Sequence, residues 1–182
     1  FARSILNANG SNFTSPATNF YRSGSDTSDL MESTTQLFLG TRIGCAKCHN
    51  HPYEHWTQDN YYGLSAFFNR INTKKTGRKD EVVVWMDRDG EVRHPVSNEI
   101  VEPWVPGGQG KLAAQGDRRK AFTQWLTSKD NPFFAKVEVN RIWAHLMGRG
   151  IVEPFDDFRD TNPPANKPLL EALARDFATN GF

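Results

Sequence analysis

The chain contains two cysteines, and both fall in one five-residue string, Cys45-Ala46-Lys47-Cys48-His49. Thiols at this spacing, followed directly by an imidazole, have a definite chemical use. Each sulfur adds to one vinyl group of haem, and the adjacent His49 is then placed to bind iron from one face. The two intervening residues let both sulfurs reach one porphyrin edge while the chain turns. Other chemistries use the same groups. A redox-active dithiol would sit between a strand and a helix, whereas this string leaves a helical pattern and enters a loop rich in His and Pro. A zinc site could draw on Cys45, Cys48 and His49 or His51, but ligands from adjacent positions alone make a poor tetrahedral cage. The string therefore points to one covalent haem c, with zinc as the alternative cofactor. A stapling disulfide is excluded, because bridging positions three apart closes no long loop.

The group on the far face of the iron decides what such a haem does. Electron carriers place a second His or Met there, while oxygen- or peroxide-reactive haems leave that face open. His51 is too close to His49 for the chain to pass around a porphyrin, and it is expected to hydrogen-bond or to pack beside Pro52. His55 reads as an exposed loop side chain. His145 ranks first as far-face metal ligand, because it sits near the end of a helix followed by Gly148-Arg149-Gly150; a capping or core role is its alternative. His94 follows, then Met31, Met86 and Met147, since methionine more often fills gaps in a core. Arg42, Lys47, Arg141 and Arg149 are candidates to neutralise haem propionates or are solvated surface charges. Trp56, Tyr61, Tyr62, Phe67 and Phe68 could cover a large apolar macrocycle as part of the core. Asp156, Asp157 and Asp160 lack the loop spacing of a calcium site.

These groups need elements to hold them. Apolar residues at helical spacing predict a helix over 29–41, capped by Ser28 or Asp29 and ended by Gly40 or Gly44, that delivers the chain into the cysteine string. Thr57 caps a second helix predicted to reach Ile71. Between Thr73 and Gly116, Gly and Pro punctuate two Val-rich runs, and Asp89-Gly90 predicts a hairpin between 82–86 and 91–96. Ala121, Phe122, Trp125 and Leu126 share a helical face. A further helix is predicted over 133–147, stopped by Gly148, and a last one begins at Pro168 and closes at Asn180-Gly181. The expected fold is mainly α with a small β-hairpin insertion, cytochrome c-like helices around a haem. The expected organisation is a haem-binding region 1–72, a β-rich insertion 73–116 and a helical region 117–182.

Composition sets the outer limits. With 182 residues, 22 basic against 21 acidic side chains and a net charge of +1, the chain lacks the positive field of a strongly basic nucleic-acid binder. No apolar run approaches the roughly 18 residues of a membrane span. The chain begins at Phe1 and stops at Phe182 just after a helical pattern, which is expected of a segment of a longer polypeptide.

Longer stretches carry a resemblance. The run T-T-Q-L-F-L-G-T-R-I-G-C-A-K-C-H-N-H-P, continued by W-T-Q-D-N-Y-Y-G-L-S-A-F-F, resembles the planctomycete-type cytochrome domain of large secreted bacterial proteins. The run from D-R-R-K-A-F to G-R-G-I-V-E-P, with D-D-F-R-D-T-N-P-P-A-N-K-P-L-L, resembles the start of the domain of unassigned role that follows it. The resemblance implies an exported, haem-linked protein acting in the periplasm or at the cell surface. Its partners would be a redox protein or neighbouring domains of the same chain, not nucleic acid. Single-electron transfer is the leading expectation. A haem enzyme with an open far face and a zinc- or haem-stabilised assembly module are the alternatives.

Overall fold

The computed structural model describes residues 1–24 and 26–181. In chain order its elements are α1 (Ala2–Leu6), β1 (Gly10–Ser11), a 3-10 helix (Pro16–Arg22), α2 (Thr27–Leu39) and a second 3-10 helix (Gly44–Lys47). There follow α3 (Gln58–Ser65), β2 (Ile71–Lys75), β3 (Val82–Met86), β4 (Val92–Arg93), β5 (Ile100–Val101), β6 (Trp104–Val105) and β7 (Gly110–Lys111). The chain ends in α4 (Arg118–Leu126), α5 (Phe134–Met147) and α6 (Lys167–Thr179). About 41% of the chain is helical, and the described residues also form three small antiparallel sheets. The fold is therefore mixed α/β, which corrects the expectation of a mainly α, cytochrome c-like bundle with one hairpin. The ladders of β1 and of β4 to β7 are only two residues long, too short to leave a period in the sequence.

The chain divides into two compact units. One comprises Phe1–Met31 and Gln58–Trp125, the other Glu32–Thr57 and Leu126–Phe182. The first unit holds the sheets. Strand β3 lies between β1 and β2, with Ile71 opposite Met86 and Lys75 opposite Val82. The expected pairing of 82–86 with 91–96 does not form; β4 instead pairs with β5. The reason is the face presented by β3. Val82 and Val84 are buried, and β2 meets that ladder even though its outer residues, Thr73-Lys74-Lys75, are exposed. Helix α3 stops at Ser65, six residues short of the expected Ile71, and Phe67 and Phe68 turn into a core where both rings pack on Phe122. Arg119, wholly buried, binds the Asp117 carboxylate, the Ala8 carbonyl, Asn9 and the Tyr21 hydroxyl. Burial pushes the Tyr21 hydroxyl up, and Arg119 only partly offsets it. Burial also raises the Glu91 carboxyl, but hydrogen bonds from Arg118 and Arg70 outweigh it and hold the group below its ordinary range.

The second unit carries the cysteine string. Helices α5 and α6 pack through Ala135, Val139, Leu170 and Ala174, with Ile151 and Val152 from the intervening loop. The ends follow the sequence signals. Gly148 takes a left-handed φ of 80° after α5, and Asn166 caps α6 by accepting from the Leu169 N–H at 3.1 Å. Asn140 is buried and fixes the loop after α5: its Oδ1 accepts from Ile151 and Val152, and its Nδ2 donates to Val152 and Phe155.

The approach to the cysteine string is set at Gly40. It has φ of 62°, and a Cβ there would lie 2.6 Å from the Phe158 ring and 2.9 Å from Val137. The Gly40 carbonyl accepts from the Phe158 N–H at 2.8 Å. A Gly40→Ala substitution therefore combines left-handed backbone strain with overpacking, and should lower stability by about 2–4 kcal/mol. Chemical denaturation checks this: a midpoint shifted by less than the equivalent of about 1 kcal/mol would show that the close approach relaxes freely.

Candidate functional site

Helix α2 ends at Leu39, Gly40 turns the chain, and the Gly44–Lys47 3-10 helix presents the string. Its turn is closed by the Ala46 N–H on the Ile43 carbonyl at 2.9 Å and the Cys48 N–H on the Cys45 carbonyl at 3.4 Å. Ile43 and Ala46 are buried beneath it. This orientation leaves Cys45, Cys48 and His49 exposed, and both cysteines are free thiols. The Nδ1 atom of His49 lies 2.8 Å from the Asn50 carbonyl. A carbonyl can only accept, so Nδ1 carries the proton and Nε2 keeps its lone pair for a metal.

The loop beyond is built around His51. Its Nδ1 accepts from the Tyr53 and Glu54 N–H groups at 3.3 and 3.1 Å, and its own N–H donates to the Trp56 carbonyl at 2.7 Å. His51 thus folds the loop, in keeping with the hydrogen-bonding role expected of it. Trp56 is buried and the His55 ring leans on it at 4.8 Å. Arg42 makes an ion pair with Asp156 at 2.9 Å, and Gln36 donates to the other Asp156 oxygen at 2.6 Å. Burial raises the Asp156 carboxyl, but the hydrogen bonds from Gln36 and Arg42 outweigh it and the group stays below its usual range. Nothing in the spacing of Arg42 and Asp156, 114 positions apart, signalled this pair. Arg141 is likewise engaged, donating to Glu138 and to the Leu37 carbonyl.

Of the far-face candidates, His145 and Met147 belong to the same unit as the string. Both are exposed at the end of α5; the His145 ring lies 6.3 Å from Phe155 and makes no hydrogen bond to any described residue. His94, Met86 and Met31 belong to the other unit. There His94 accepts from Val96 and Ser97 and faces Asp59 at 3.7 Å, and Met31 is fully buried. Tyr61, Phe67 and Phe68 are buried in that unit's core.

The segments that carry these residues match known families. Residues 4–73 match the family model PSCyt2, a protein of unknown function (DUF1549). Residues 118–182 match PSD1, a protein of unknown function (DUF1553). Both are planctomycete-type domains, as the resemblance implied, and neither description states a cofactor or an activity. No curated protein and no solved structure matches the chain. The cysteine string lies inside the PSCyt2 segment. Each compact unit draws on both segments, so the turn bearing the thiols is held by PSD1 residues such as Val137, Asp156 and Phe158.

Two observations bear on which cofactor these donors fit. Zinc at about 2.3 Å from each sulfur brings tetrahedral ligands within about 3.8 Å of one another. Among the described residues, the group of three metal-ligating side chains that converges within 4.8 Å is Glu54, His55 and Asp160, and it includes none of Cys45, Cys48, His49 and His51. A cavity of about 390 Å³ beside it is walled by Leu39, Trp56, Phe133, Val137 and Phe158, and the string does not line it. Cys45 and Cys48 are open to reagents on the surface. Iodoacetamide should therefore modify both thiols of the native, cofactor-free chain without denaturant. Protection of either thiol until the chain unfolds would contradict this geometry.

Proposed function

We propose that the chain is a c-type haem domain, in which Cys45 and Cys48 form the two thioethers, His49 is the proximal iron ligand, and the role is single-electron transfer. The observation that carries the reading is the set of donors on one exposed turn. Two free thiols stand three positions apart on a 3-10 helix, and the next imidazole has its Nδ1 committed to the Asn50 carbonyl. The separation of these groups suits a porphyrin, which spaces its vinyl carbons and iron apart, better than a single ion that needs its ligands convergent.

When bound, the haem supplies a one-electron redox centre. The protein's part is to fix the proximal imidazole. The Nδ1–H bond to Asn50 sets the tautomer and the ring orientation, and hydrogen bonding of this kind raises ligand basicity. His145 would be the second ligand to iron in this reading, being an exposed imidazole of the same unit with no hydrogen bond to any described residue. Arg42 is half-exposed and already paired with Asp156, so its part would be to brace the turn rather than to meet a propionate. Covalent attachment takes place outside the cytoplasm, which goes with an exported protein of the periplasm or cell surface. Its partners would be a redox protein or neighbouring domains of a larger chain.

Co-expression with a cytochrome c maturation system, followed by intact mass and spectra, tests the reading. The exported wild-type chain should carry the mass of one haem, and the double variant Cys45→Ala/Cys48→Ala none. Ferrous wild type should resist carbon monoxide, and His145→Ala should take it up. A bare polypeptide mass for the wild type would overturn the haem assignment. Uptake of carbon monoxide by unaltered ferrous protein would overturn the electron-carrier role in favour of an open-faced haem enzyme.

A further inference from the structure

The first unit has a feature that a haem domain does not require. The turn between β2 and β3 and the end of the Pro16–Arg22 3-10 helix enclose a polar concavity of about 860 Å³. Arg22 enters it from the 3-10 helix, and Lys75, Arg78 and Lys79 enter it from the hairpin, alongside the hydroxyls of Thr73 and Thr76. The chain as a whole is nearly neutral, yet it gathers four cations here from two separate segments. Two acidic residues, Asp80 and Glu81, share the wall.

The acids offset the cations only in part, two against four. Glu81 accepts from Ser11 at 2.5 Å and from Thr76 at 2.6 Å, so both of its oxygens are committed. Those hydrogen bonds hold its carboxyl below the usual range. Lys75 and Lys79 make no ion pair with any described residue, and among the described residues Arg22 donates to the neutral Asn19 side chain. The backbone adds donors. Asp80 sits at φ of 63°, and the N–H groups of Gly77, Lys79 and Asp80 donate to no acceptor among the described residues, while the Arg78 N–H donates to the Thr76 hydroxyl at 3.1 Å and Thr76 and Glu81 close the turn on either side. Successive free N–H groups around a left-handed residue form an anion-binding concavity, and Lys and Arg at its rim add charge-assisted donors.

We propose that this concavity binds an oxyanion ligand bearing phosphate or sulfate groups. The backbone N–H groups and the Thr73 hydroxyl would meet one oxyanion, and Arg22, Lys75, Arg78 and Lys79 its charge. The volume exceeds that of a single tetrahedral oxyanion, so a ligand with several such groups fits best. The proposal is independent of haem, because none of these residues belongs to the cysteine-bearing unit.

Calorimetric titration of the whole chain at low ionic strength with inorganic phosphate, sulfate and tripolyphosphate tests it. Tripolyphosphate should bind saturably and more tightly than the single anions, and binding should weaken as salt is raised. The exposed double variant Lys75→Gln/Lys79→Gln should lose about ten-fold or more in affinity with an unchanged melting temperature. The control Lys120→Gln/Lys129→Gln, which removes equal charge elsewhere, should bind as wild type. Failure of all three anions to saturate, or an equal loss in the control, would overturn the proposal.

Discussion

The contact on which the cysteine-bearing turn depends is the close approach of the chain at Gly40 to Phe158 and Val137. No side chain fits in that space, and the hydrogen bond from the Phe158 N–H to the Gly40 carbonyl locks the two strands of chain together. Asp156, two residues before Phe158, then grips Gln36 on one side of Gly40 and Arg42 on the other. Three consecutive anchor points thus fix the chain just before it turns into Gly44–Lys47. The apolar side of that turn, Ile43 and Ala46, is buried, so the thiols and the imidazole have no direction left but outward.

This arrangement explains why the two matched segments occur together in one fold. The donors come from the PSCyt2 segment and the anchors from the PSD1 segment. The cofactor site we propose here would need its ligands held in place before the cofactor arrives, because loosely held ligands must be ordered at the expense of binding. Asn140 extends the same logic one layer outward. It satisfies four backbone groups of the loop that leads to Asp156 and Phe158, and buried polar groups without partners are costly.

Sequence reasoning reached some of this and missed the rest for identifiable reasons. Helices α5 and α6 are legible because Gly148 stops one and Pro168 marks the start of the other. The cysteine string was legible because its chemistry is local. The sheet topology was not, since Asn72-Thr73-Lys74-Lys75 carries no apolar alternation and owes its strand conformation to the ladder offered by β3. The mainly α expectation failed on the same ground, because two-residue strands are made by tertiary pairing and not by propensity. The Arg42–Asp156 pair is not legible in the sequence because its partners lie 114 positions apart, and neither is the concavity at the β2–β3 turn, whose cations are split between two segments.

The proposal that Cys45 and Cys48 hold a haem covalently is tested most directly by acid–acetone extraction of the exported, matured protein, followed by an absorption spectrum of the precipitated polypeptide. With two thioether bonds in place, the haem bands stay with the polypeptide. Haem released entirely into the solvent, or a colourless polypeptide from cells that mature other c-type cytochromes, would contradict it.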